Sequence, residues 1–150
     1  MNQPLCLARA YSCIRVAKVL DNLVMNIFLW VLQVLLAAAF LAHGLLLLFP
    51  PASMLELMNA TMSASFRIFI GVAEVLAAVG LTLPGVTRIL PWLISWAAGG
   101  IMIVMISATV FHIMRGEISS AITTAVLLAL ATYVAYMRWK VMPILPRAAA

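Results

Sequence analysis

Four side chains able to carry charge or a proton stand in stretches with almost no other polarity: His43, Arg67, Glu74 and His112. A carboxyl group can take up and release protons, imidazoles can donate or accept hydrogen bonds, and a guanidinium can hold a carboxylate's charge. With the hydroxyls of Thr109, Thr123 and Thr124, they make a candidate set for binding a polar headgroup or exchanging a proton. Arg67, Gly71 and Glu74 share one helix face, being spaced by four and then three residues. Gly71 leaves a notch through which the guanidinium would approach the carboxylate, so an Arg67–Glu74 ion pair is expected. Two plainer alternatives stay open: Arg67 anchors its helix by reaching to headgroups, and Glu74 is a buried acid that only fixes packing.

Metal chemistry finds less support. Two histidines and a carboxylate suit zinc or iron, yet no H-x-x-x-H or E-x-x-H spacing brings them together, and no metal site is expected. Haem-type histidine pairs, phosphate loops and nucleophile elbows are missing from the sequence, so no residue is assigned as catalytic. Cys6 and Cys13 fall in the leader without C-x-x-C spacing and read as reduced, incidental thiols.

The elements that position these groups are membrane spans. Of 150 residues, 67% are hydrophobic and 9% charged, with a mean hydropathy of +1.19. Soluble domains run near about 45–50% and about 25%, which excludes a water-soluble core. Four apolar runs, Leu23–Phe49, Ile68–Leu83, Leu90–Ile113 and Ile118–Met137, approach the roughly 20 residues that cross a bilayer. The fold class is therefore all-α, an integral membrane four-helix bundle. Residues 1–22 form a basic leader, 23–140 the four-span domain and 141–150 a tail. At bilayer depth Glu74 costs about 2.5–3.5 kcal/mol on insertion scales, so it is expected to face the bundle interior.

Charge placement sets orientation. Arg9, Arg15, Lys18, Arg88, Arg138, Lys140 and Arg147 fall on one side, with only Arg67 and Arg115 at the other. The positive-inside rule then puts both termini in the cytoplasm. The same placement assigns the net charge of +5 to topology; no nucleic-acid partner is expected. At 1.5 Å per residue, His43 lies about 9 Å below the outer end of span 1, and Glu74 about 15 Å below that of span 2. Thr109, His112, Thr123 and Thr124 also fall in the outer half, whereas the inner half has little besides Asn26, Gln33 and Ser95.

Punctuation supplies the remaining expectations. Pro50–Pro51 ends span 1, Ala52–Ser65 forms a short surface helix, Pro84–Gly85 closes span 2, and Pro91 sits in the first turn of span 3. The short link at Arg115–Glu117 makes spans 3 and 4 antiparallel neighbours. Small residues, among them Gly71, Gly80, Gly99 and Gly100, mark close helix approach, with a kink at Gly99–Gly100 as the alternative. The leader is either an amphipathic helix on the inner leaflet or a stretch preceding a second candidate start at Met25. Trp92, Trp96 and Trp139 sit at the inner interface, where indoles are enriched.

The segment FRIFIGVAEVLAAVGLTLPG (Phe66–Gly85), with an arginine ahead of G-x-x-E, resembles the second span of the DoxX family of small four-helix membrane proteins. Ala42–Gly44 and Leu90–Gly116 extend the resemblance over roughly residues 25–140. By that resemblance the family's polar positions fall on Arg67, Glu74 and His112, with His43 as a further one. The family takes its name from a component of an archaeal terminal oxidase and thiosulfate:quinone oxidoreductase system, and includes redox-linked, receptor-like and chaperone-like members. The resemblance identifies no substrate; taken with the polar set, the first reading is an accessory subunit of a quinone-linked redox assembly in a bacterial-type inner membrane, with a quinone as the candidate for an otherwise unassigned cofactor. Its partners would be the lipid bilayer, membrane redox or client proteins, and further copies of itself. A non-enzymatic membrane chaperone or receptor is the alternative, and a small-solute or proton transporter the third.

Overall fold

The structure, a computed structural model, describes residues 3–147, with side chains from Arg15 onward. Cys6, Arg9 and Cys13 therefore lie outside the described side chains. Among the described residues the chain is helical, without strands, and four helices are long and apolar enough to cross a membrane. It divides into two compact units, Met1–Val31 and Leu32–Ala150.

α1 (Gln3–Leu48) is one unbroken helix, so the leader and span 1 share it rather than forming separate helices. In the first unit its side chains from Arg15 to Met25 are all exposed. In the second unit, Leu32, Gln33, Leu36, Ala37, Phe40, Gly44 and Leu47 are buried at three- and four-residue intervals, a single stripe. Pro50 and Pro51 follow the helix end, as their missing N–H groups require. α2 (Ala52–Thr61) lies where the surface helix was expected and buries none of its residues.

α3 (Ala64–Thr87) begins at Ser63, whose hydroxyl accepts the Phe66 N–H at 3.3 Å and so caps the first turn. Its buried positions are Arg67, Gly71, Glu74, Ala78 and Leu81, a repeat of four and three that places both charged residues on the inward stripe. The expectation that Pro84–Gly85 closes this span is not met. Pro84 and Gly85 are buried inside α3, which ends only at Thr87, with Arg88 in a left-handed conformation at φ 58°. In an apolar surrounding, forgoing one backbone bond at proline costs less than baring a whole helix end.

α4 (Leu93–Met114) packs against α3 on one side and α5 (Ile118–Tyr136) on the other. Pro91 stands just before α4, in a turn where the Leu93 N–H donates to the Leu90 carbonyl at 3.0 Å, and not in its first turn. The tight link at Gly116, φ +73°, makes α4 and α5 antiparallel neighbours. Past Tyr136 the helix widens into a π-helical stretch, Met137–Val141, packed on α4 and α5.

The second unit's core joins Leu36 and Phe40 of α1, Leu81 of α3, Ile94 and Ile101 of α4 and Val134 of α5. Around it the surface is apolar: Leu35, Phe69, Leu76, Ile103 and Ile122 are all exposed, the reverse of a water-facing protein and the pattern acyl chains require. Trp96 stacks edge-on or tilted against Trp92 and Trp139, both at 6.4 Å between centroids.

Close helix approach is carried by fewer glycines than expected. A Cβ on Gly80 would lie 2.8 Å from Ala97 Cβ, joining α3 to α4. A Cβ on Gly99 or Gly100 would meet nothing within 4 Å, and α4 continues through both without a break in its helical pairing. The packing role expected of that pair is not observed.

Candidate functional site

The site is built where α1 crosses α3. A Cβ added to Gly44 would lie 2.9 Å from the Gly71 carbonyl oxygen and 3.1 Å from Glu74 Cβ. Only glycine at both positions lets the two backbones come this close. That approach brings His43 Nδ1 to 2.6 Å from Glu74 Oε2. The pair is lopsided: the Glu74 side chain is 3% exposed and the His43 side chain 57%. A carboxylate so placed loses hydration, and the imidazole supplies a replacement bond.

Arg67 does not pair with Glu74. Leu48 of α1 occupies the notch at Gly71, its Cγ only 2.9 Å from where a Cβ would be. The path intended for the guanidinium is therefore filled. Arg67 instead donates from Nη1 to the Leu47 carbonyl. That carbonyl belongs to the last turn of α1, where acceptors lack intrahelical donors and the helix dipole is negative. Arg67 is buried, and its Nε has no partner among the described residues.

Beside Glu74 opens a cavity of about 280 Å³ between α1, α3 and α4. Phe40, Ala73, Leu76, Ala77, Ala97, Gly100, Ile101 and Val104 line it, and Glu74 is its sole polar side chain. Gly100, with no side chain to intrude, leaves part of this space open.

The other expected residues gather elsewhere. Thr109 and Thr124 place their hydroxyls 2.9 Å apart, linking α4 to α5. Thr123 is exposed and bonds back to the Ser119 carbonyl at 3.0 Å, because consecutive helical residues cannot face the same way. His112 joins a separate cluster: its Nδ1 lies 2.6 Å from Glu117 Oε2, while Arg115 Nε donates to Glu117 Oε1 at 2.7 Å. Arg115 also lies over the Phe111 ring, 5.4 Å from its centroid. The Arg115 hydrogen bond, and then that of His112, hold the Glu117 carboxyl below the usual carboxylate range. Glu117 was not among the expected site residues, though its position beside Arg115 and five residues after His112 was a readable signal.

A second polar centre went unforeseen. Arg138, counted among the orientation-setting charges, is buried. Its Nε donates to Gln33 Oε1 at 2.6 Å and its Nη1 to the Met142 carbonyl at 3.3 Å. Gln33, fully buried, donates in turn to the Leu81 carbonyl at 2.8 Å. One glutamine thus ties α1 to both α3 and the π-helical stretch. The signal was present in register, since Ala131, Val134 and Arg138 are spaced by three and four residues on one buried face.

Among the described residues, no group of three histidine, cysteine or acidic side chains could hold a metal ion. In comparisons with known proteins, a model of the DoxX-like family matches residues 31–134, which include both polar centres' α1 and α3 partners. No curated protein and no solved structure matches the chain.

Proposed function

The chain belongs to the DoxX-like family, and on that footing we propose that it is an accessory subunit of a quinone-linked redox assembly in a bacterial-type inner membrane. The observation that carries this reading is an apolar cavity with one carboxyl group in its wall. Small-molecule sites are mostly apolar clefts of about 300–1,000 Å³ with few polar groups, and about 280 Å³ suits a single headgroup ring whose isoprenoid chain lies in lipid. A quinone carbonyl would accept a hydrogen bond from protonated Glu74, and the reduced ring would donate its hydroxyl to the carboxylate. His43 holds that carboxyl group in place from the other side. Arg67, bonded to the Leu47 carbonyl, braces the same crossing without touching the acid.

The test is extraction. Protein purified in native lipid is expected to carry a quinone in near-stoichiometric amount, and Glu74→Leu to lose most of it. Absence of any quinone from well-folded protein in native lipid would remove the redox reading. A receptor or chaperone role is the second reading. It is favoured by α2, which buries no residue and presents Met54, Leu55 and Leu57 at the surface beside the crossing's end of the bundle. Under that reading a client protein, and no quinone, co-purifies with the chain.

A further inference from the structure

We propose that the Glu74–His43 pair is a proton conduit joining the apolar cavity to the exposed flank of α1. The two residues open onto different surroundings: Glu74 lines the cavity and is otherwise enclosed, while His43 is more than half exposed. A single hydrogen bond of 2.6 Å links them.

The cavity itself offers protons no route. Apart from Glu74 its walls are hydrocarbon, and it opens onto a molecular surface that is itself apolar, so it supplies no polar group to hand on a proton. A proton reaching or leaving Glu74 therefore passes through its imidazole partner. Imidazole is suited to this because its two nitrogens can take and release protons at opposite edges of the ring. In the tautomer carrying Nε2–H, Nδ1 accepts the proton of the Glu74 carboxyl group, giving a carboxylate and an imidazolium. Nε2 then gives up its own proton at the exposed flank of α1, to water or a headgroup reaching down from the outer end of the span, about 9 Å away along the helix. The ring is left with Nδ1–H directed at the carboxylate; the first tautomer returns when Nε2 takes up a proton from the flank and Nδ1 hands its own to the carboxylate, which reloads Glu74. One proton enters and one leaves, and no electron moves.

Few other charges act on the pair. On α3 the nearest guanidinium, Arg67, is turned to the Leu47 carbonyl. The α4 residues facing Glu74 across the cavity, Ala97, Gly100, Ile101 and Val104, are all neutral. On α1, no further titratable side chain lies between Leu32 and Leu48. The proposal leans on the quinone reading only for what would occupy the cavity; the conduit stands or falls separately.

Infrared spectroscopy of the full chain in lipid nanodiscs reads it directly. The Glu74 carboxyl band is assigned by its loss in Glu74→Gln, then followed after a jump in pH and after transfer to heavy water. Wild-type Glu74 is expected to exchange promptly, and His43→Ala to slow that exchange by at least about tenfold, in line with proton transfer by a positioned side chain. Added imidazole restores the rate in His43→Ala, since the emptied position is exposed. His43→Gln keeps a hydrogen bond to the acid but cannot relay a proton, so it stays slow. This variant decides the question if the alanine variant fails to fold. Unchanged exchange in either variant overturns the proposal. So does slow exchange that imidazole cannot restore, or a Glu74 band that never changes protonation from about pH 4 to 10. Exchange that follows His43 in protein lacking quinone would retire the quinone reading and leave the conduit.

Discussion

Gly44 and Gly71 meet backbone to backbone, so that a Cβ on either would lie within 2.9–3.0 Å of the other's carbonyl oxygen. This contact, more than any side chain, sets the distance between His43 and Glu74. A methyl group at Gly44 must push rigid backbone aside, and the strain of such overpacking is about 1–3 kcal/mol. Gly44→Ala and Gly71→Ala are each expected to lower stability by that order in detergent unfolding, and to weaken the His43–Glu74 bond. Gly99→Ala is the contrast. Its Cβ meets nothing, and replacing a mid-helix glycine gains about 0.5–1 kcal/mol. A Gly44→Ala protein as stable as the wild type would show that the crossing is looser than described.

Gln33 and Arg138 predict a non-additive pair. Gln33→Leu removes one acceptor of a buried guanidinium that also donates to the Met142 carbonyl, and leaving a buried donor unsatisfied costs about 1–3 kcal/mol. Arg138→Met removes the charge but leaves the Gln33 carbonyl oxygen without its donor, at about 1–3 kcal/mol. The double substitution is expected to recover most of the loss, since the apolar replacements need no partner. A double-mutant cycle on thermal stability measures it. Simple additivity would mean the two side chains act independently.

These two contacts also mark where the sequence was legible. Span count, the turn at Gly116, the surface helix after Pro51 and the inward direction of Glu74 follow from hydropathy and helical period, which are local properties. The partner of Glu74 does not. Arg67 and Glu74 share a face, and only the meeting of Gly44 with Gly71 reveals that Leu48 fills the notch between them. The burial of Arg138 was missed for a different reason: positive residues near span ends report topology so regularly that its register with Ala131 and Val134 was overlooked. Pro84 misled in the same way, because its effect on a helix depends on whether water is there to receive the freed carbonyl.

Glu117 gives a pH prediction with a definite sign. Arg115 and then His112 stabilise its ionised form, so its folded-state pKa lies below the usual carboxylate range. A group shifted this way contributes to stability above its unfolded value and loses that contribution as pH falls through the folded one. The α4–α5 turn is therefore expected to weaken only in acid below the ordinary glutamate range. Glu117→Gln should flatten that acid dependence by giving up the same contribution at neutral pH, a slight loss because the carboxyl group is exposed and screened. Melting temperature against pH for the two proteins provides the check. An identical acid limb in both would assign the dependence to another carboxyl group.

Gly99 and Gly100 adjoin in sequence but differ in surroundings, and this separates occupancy of the cavity from stability. Gly100 lines the space beside Glu74 and Gly99 does not, while a side chain at either has room to begin. Gly100→Leu would place its branched end in the volume proposed for a headgroup ring. It is expected to reduce bound quinone by about tenfold, equivalent to about 1.4 kcal/mol of affinity. Its stability should be at least that of the wild type, as filling apolar space and removing a helical glycine both favour the fold. Gly99→Leu, pointing elsewhere, should retain quinone fully. Quinone content per mole of each purified protein decides between them: equal content in the two variants would mean that the molecule is held somewhere other than beside Glu74.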